Sequence, residues 1–156
     1  MKRVAICLLL LALVSVLTGC MIIPVEEHYD APKKEQVRSV EIYDLREGSA
    51  EMRLPEGLTP VYTLQKSQLE SFWEDLKEIS FTDHIMIVLA AVDPSFSFGD
   101  WVVRINYRDG NYTLLSSAGY NVTFNAQGKQ EDRNHWSCDD EEWEQFVLKY
   151  LPENMK

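Results

Sequence analysis

The stretch Trp101-Val102-Val103-Arg104-Ile105-Asn106-Tyr107-Arg108-Asp109-Gly110-Asn111 decides the fold class. Apolar and polar residues alternate from Trp101 to Arg108, the period of a strand with one buried face. Trp101, Val103, Ile105 and Tyr107 share that face. Asp109-Gly110 then marks a tight reversal, expected as a type I′ turn, because Gly takes positive φ without strain. Asn111 to Ser117 returns as a second strand. Ala118-Gly119 offers another turn into Tyr120-Asn121-Val122-Thr123-Phe124, and Gln127-Gly128 closes the meander. Strands joined this closely are antiparallel.

Working outward, two helices flank this unit. Leu69, Phe72, Trp73, Leu76 and Ile79 fall on one helical stripe, with Ser67 and Glu70 spaced as a capping box. Near the C-terminus Trp143, Phe146, Val147, Tyr150 and Leu151 form a second stripe. Asp139 is its expected N-cap, with Ser137 competing, and Pro152 stops it. Further strands are expected over 37–43, 61–64 and 84–92, the last apolar on both faces. Lys129 to Trp136 reads as a polar loop. The order β-β-α-β-β-β-β-α predicts an α+β fold, a meander sheet of five to six strands with two amphipathic helices packed on it.

Composition agrees with one globular domain. The chain has 156 residues, 46% of them hydrophobic, with 15 basic and 25 acidic side chains, for a formal charge of −10. That balance argues against nucleic-acid binding, which needs a basic face.

The N-terminus carries the address. Lys2 and Arg3 precede an uncharged run from Val4 to Leu17. Those residues would cover roughly 21 Å as a helix, short of the ~30 Å hydrocarbon core. The run therefore reads as a secretory h-region and not as a permanent span. Leu17-Thr18-Gly19-Cys20 follows and resembles the lipobox of bacterial lipoproteins. The resemblance covers residues 1–20. It implies cleavage between Gly19 and Cys20, diacylglycerol on the Cys20 sulfur, and anchoring at the extracytoplasmic face of a cell membrane. Residues 1–19 are then a signal peptide, 20–36 a lipidated Cys with its tether, and 37–156 the α+β domain. Loss of Lys2 and Arg3 takes the charge from −10 to −12.

Chemistry-bearing residues are sparse. Cys138 alone would remain as a free thiol, which excludes an intramolecular disulfide in the processed chain. His28, His84 and His135 are scattered, and no pattern completes a metal site. No nucleophile elbow, phosphate loop or dinucleotide fingerprint is present. Accordingly no catalytic residue, metal or cofactor is assigned. The acidic run Asp139, Asp140, Glu141, Glu142 and Glu144 suits the first turn of a helix. Phe96, Phe98 and Trp101 make an aromatic-rich loop, a candidate partner-binding surface if exposed and part of the core if turned inward. These features predict a lipid-anchored binding domain for a cationic protein or peptide. The alternative is an inhibitor or immunity-type protein acting on a basic secreted hydrolase such as a lysozyme.

Overall fold

The computed structural model describes residues 21–27, 29–30, 32–33, 35–46, 54–87, 98–118, 121–134 and 136–156. The elements are β1 (Met21–Glu27), β2 (Val37–Asp44), β3 (Tyr62–Thr63), α1 (Leu69–Glu78), β4 (Phe81–Ile87), β5 (Trp101–Tyr107), β6 (Tyr112–Ser116), β7 (Asn121–Phe124), β8 (Gln130–Asn134), β9 (Trp136–Ser137) and α2 (Asp140–Tyr150), followed by a short 3₁₀ turn. The fold is α+β, as the sequence predicts. A six-stranded antiparallel sheet runs β3-β2-β5-β6-β7-β8, and a small second sheet runs β1-β4-β9.

β5 sits inside the large sheet and is covered on both faces. Trp101, Val103 and Ile105 join Val40, Ile42 and Leu115 in the main core, under Phe72, Trp73 and Leu76 of α1 and Trp143, Phe146 and Val147 of α2. Val102 faces the opposite side with Tyr43, Leu114, Val122 and Phe124. The helices meet through aromatic rings, with Phe72 5.1 Å from Phe146 and 5.3 Å from Tyr150 between centroids. Each such pair contributes about 0.5–1.5 kcal/mol beyond the area it buries.

Five local expectations change. Residues 21–27, expected as part of a tether, form β1 and pair with β4 from Met21↔Ile87 to Glu27↔Phe81. Pro24 is tolerated because β1 is an edge strand. Tyr29 also packs on the main core. Residues 130–134, expected as loop, form β8 against β7. The strand expected at 84–92 starts earlier, at Phe81, and lies in the second sheet; its residues 88–92 fall outside the described residues. The β5–β6 reversal uses three residues and not two. Gly110 N donates to Tyr107 O, Tyr107 N donates to Asn111 O, and Gly110 has φ +92°. This is the pattern of a type I turn with a glycine bulge. Finally, the N-cap of α1 is Gln68, without a side-chain cap bond, and not Ser67. The Gln68 side chain instead accepts from Gln65 N and the Tyr62 hydroxyl.

The start of α2 matches its sequence signal. The Asp139 carboxylate accepts from Glu141 N and Glu142 N, each at 3.0 Å. At the other end, the Asp75 carboxylate of α1 accepts from Lys149 and from the Tyr150 hydroxyl of α2. These donors hold the Asp75 carboxyl below the usual carboxylate range, Lys149 contributing most. A depressed folded-state value stabilises the fold above the unfolded pKa and is lost as pH falls through the folded one. Asp75→Asn should therefore lower the thermal midpoint near neutral pH, by the equivalent of about 1 kcal/mol. The difference from the unmodified chain should vanish in acid below that folded value. Calorimetric scans across pH check both parts, and a difference independent of pH would contradict the assignment.

Candidate binding clefts

The start of β5 and the start of α2 are brought together by one buried bond. Trp143 Nε1 donates to the backbone oxygen of Trp101 at 2.9 Å. Trp143 is 1% exposed and Trp101 2%. The two residues line a cleft of about 460 Å³ together with Phe98, Gly99, Asp100, Ser117, Ala118, Asp140, Glu141 and Glu144. Gly99 permits the close approach of the chain here. Its N–H donates to Ser116 Oγ at 2.8 Å, and a Cβ at residue 99 would lie 2.6 Å from Ser117 Oγ.

Four acidic residues, Asp100, Asp140, Glu141 and Glu144, therefore line one cleft beside the two buried tryptophans. None of the four forms an ion pair among the described residues. Arg46 is drawn chiefly by Asp44 and less by Glu144 and Asp100. Its guanidinium lies 4.7 Å from the Trp101 ring centroid. That charge is already engaged by Asp44, which binds it at 2.5 Å. The pairing lowers the Asp44 carboxyl, mainly through the Arg46 hydrogen bonds. The indole Nε1 of Trp101 is buried without a hydrogen-bond partner among the described residues. Chemically, the four acidic residues make the cleft favourable to a cation.

A second, larger cleft of about 530 Å³ lies at the hairpin end of the sheet, between Pro32, Glu35 and Gln36 and the segment from Tyr107 to Asn111. Its polar groups are largely spent on one another. Tyr107, Thr113 and Thr123 join hydroxyls across three strands at 3.0 Å steps. The Asp109 carboxylate accepts from Asn111 N and Nδ2. Asn111 Oδ1 accepts from Ala126 N, tying the two hairpin loops together. The charged lining residues of this cleft are Glu35, Asp109 and Arg108, whereas the first cleft carries four acidic residues and no basic one among the described residues.

The candidate residues read from sequence fall as follows. Phe98 and Trp101 are buried, the inward-turned alternative of the two that the sequence leaves open, and so they do not make an exposed patch. Phe98 belongs to the second core and Trp101 to the main one. Phe96 lies outside the described residues, as do Gly19, Cys20, His28 and His135. The sequence treats the aromatic loop and the acidic run as separate features, and the structure joins them in one cleft. Asp100 was not singled out by the sequence reading, because a lone Asp after Gly carries no pattern. Cys138 packs against the main core. Burial first, and then Glu142, Asp140 and Asp139, push its thiol up to about 12. It is protonated at neutral pH and poorly nucleophilic. No group of three or more His, Cys, Asp and Glu among the described residues is arranged to hold a metal.

Searches against family models, curated proteins and solved structures find no match to this chain. The functional argument therefore rests on its own residues.

If Phe98 is a core residue, Phe98→Ala should cost about 3 kcal/mol or more in denaturant unfolding. An unchanged unfolding midpoint would return Phe98 to the surface.

Proposed function

We propose that this chain is a lipid-anchored extracytoplasmic binding domain whose acidic cleft accepts a cationic group of a protein or peptide. The anchoring half of the reading rests on the order Lys2-Arg3, Val4 to Leu17, and Leu17-Thr18-Gly19-Cys20. The binding half rests on one observation. Asp100, Asp140, Glu141 and Glu144 line one cleft beside the buried Trp101 and Trp143. Clustered carboxylates suit the charged heads of Lys or Arg, which they bind by charge-assisted hydrogen bonds. The overall charge of −10 adds long-range attraction that speeds encounter with a basic partner.

The reading predicts salt-sensitive binding. An Arg- and Lys-rich peptide titrated into the full chain should bind about tenfold more weakly when salt rises from about 0.02 M to about 0.3 M, as the screening length shortens. Glu141→Lys with Glu144→Lys should remove most of the low-salt binding, and Glu35→Lys, on the other cleft, should leave most of it. Binding indifferent to salt and to the Glu141 and Glu144 changes would overturn the proposal.

A further inference from the structure

The cleft at the hairpin end of the sheet is walled by a turn and a hairpin that hold each other. Gln36 N donates to Lys33 O and Arg108 N donates to Gln36 O, each at 2.8 Å. These bonds seat Glu35 and Gln36 on the end of β5, where Val37 pairs with Tyr107. Internal bonds also set which way the amides point. Asn111 Oδ1 takes the Ala126 N–H, so Nδ2 is directed to Asp109, which uses one of its two N–H groups. Gln36 Oε1 accepts from Lys33 N, and its Nε2 has no partner among the described residues. The Glu35 carboxylate and the Arg108 guanidinium, both exposed, have no hydrogen bond or ion pair among the described residues. A defined set of donors and acceptors is thus left over at the cleft.

The sheet side of the cleft is hydroxylic. Tyr107 and Thr123 line it, and Thr113 lies between them with a bond of 3.0 Å to each. Three hydroxyls share two bonds, so one of their three protons is left over. Either atom of each pair can be the donor. The string can therefore offer the cleft a proton or a lone pair without moving its oxygens. Tyr29 Oη lies 3.5 Å from Tyr107 Oη, and burial holds its phenol protonated well above the usual range. Groups that both donate and accept suit a ligand that does the same. An ammonium only donates and a phosphate only accepts, whereas a sugar hydroxyl does both. The charged lining residues, Glu35, Asp109 and Arg108, are of mixed sign, which favours neither ion strongly. The volume of about 530 Å³ lies within the roughly 300–1,000 Å³ of small-molecule sites. We propose that this cleft is a saccharide-binding site, in which Glu35 and Arg108 at the rim and the Asn111 amide and Thr123 hydroxyl at the sheet bind adjacent ring hydroxyls. It is distinct from the acidic cleft: Trp101 begins β5 and Tyr107 ends it, so the two sites lie at opposite ends of one strand.

The test is an amide NMR titration of the full chain in micelles of a sugar-free detergent, with chitotetraose and maltotetraose as separate probes. One probe carries acetamido groups and the other hydroxyls alone, so the pair separates those two recognitions. At least one should give saturable shifts at the Gln36, Tyr107, Asn111 and Thr123 amides, with a dissociation constant of about 1 mM or tighter. Glu35→Ala and Arg108→Ala should each weaken binding about tenfold, the loss of one hydrogen-bonded charged group. Lys77→Ala, at an exposed position of α1, should leave it unchanged. Because the ligand is neutral, raising salt from about 0.02 M to about 0.3 M should alter the affinity less than about twofold, unlike the peptide binding proposed above. No saturable shift at these amides from either sugar overturns the site. So do shifts that persist unweakened in both the Glu35→Ala and Arg108→Ala chains. Inorganic phosphate that binds at the same amides more tightly than both sugars also overturns it, in favour of an anion site. None of these results bears on the acidic cleft, whose own test is separate.

Discussion

The hydrogen bond from the Trp143 indole to the Trp101 carbonyl is the joint on which the rest of the structure depends. It joins the first turn of α2 to the first residue of β5, the strand with a core on each face. Both partners are withdrawn from water, so a broken bond would leave an unsatisfied buried polar group, at a cost of about 1–3 kcal/mol. With the Cys138 N–H bond to Ser117 O, the indole bond holds the helix start beside β5, where Asp140, Glu141 and Glu144 line a cleft with Asp100.

The charge distribution follows from that arrangement. Asp139 uses its carboxylate on the helix N–H groups, which leaves the next acidic residues to face outward. Their charges are favourable at a helix start, by about 0.3–1 kcal/mol each at a surface. The same charges can therefore stabilise the fold and attract a cation. Farther away, the Asp75 pairing with Lys149 and Tyr150 ties the end of α2 to α1.

How far the sequence could be read depended on whether a segment buries one face. β5 and α2 were legible because their apolar residues recur at the period of their structure and because Asp139 is a strong cap. β8 was not. Gln130-Glu131-Asp132-Arg133-Asn134 has no apolar residue, and an edge strand held by the ladder of β7 needs none. β1 was hidden for the opposite reason: Met-Ile-Ile-Pro-Val has no alternation, and its partner β4 lies far along the chain. The Asp109-Gly110 reversal was foreseen but its length was not, since a glycine at positive φ serves both loop types. The cleft depended on tertiary contact. Nothing local to Phe98 or Trp101 says that they turn inward, or that an acidic helix start lies across from them.

The measurement that bears most directly on this account is hydrogen exchange at the Trp143 indole, followed by NMR. A buried donor bonded to the Trp101 carbonyl should exchange only through global unfolding, with protection equal to that of the β5 amides and lost together with theirs on adding denaturant. Exchange of the Trp143 indole at the rate of a solvent-exposed tryptophan, with β5 still protected, would mean that the helix is not pinned to the strand, and the cleft built on that joint would be contradicted.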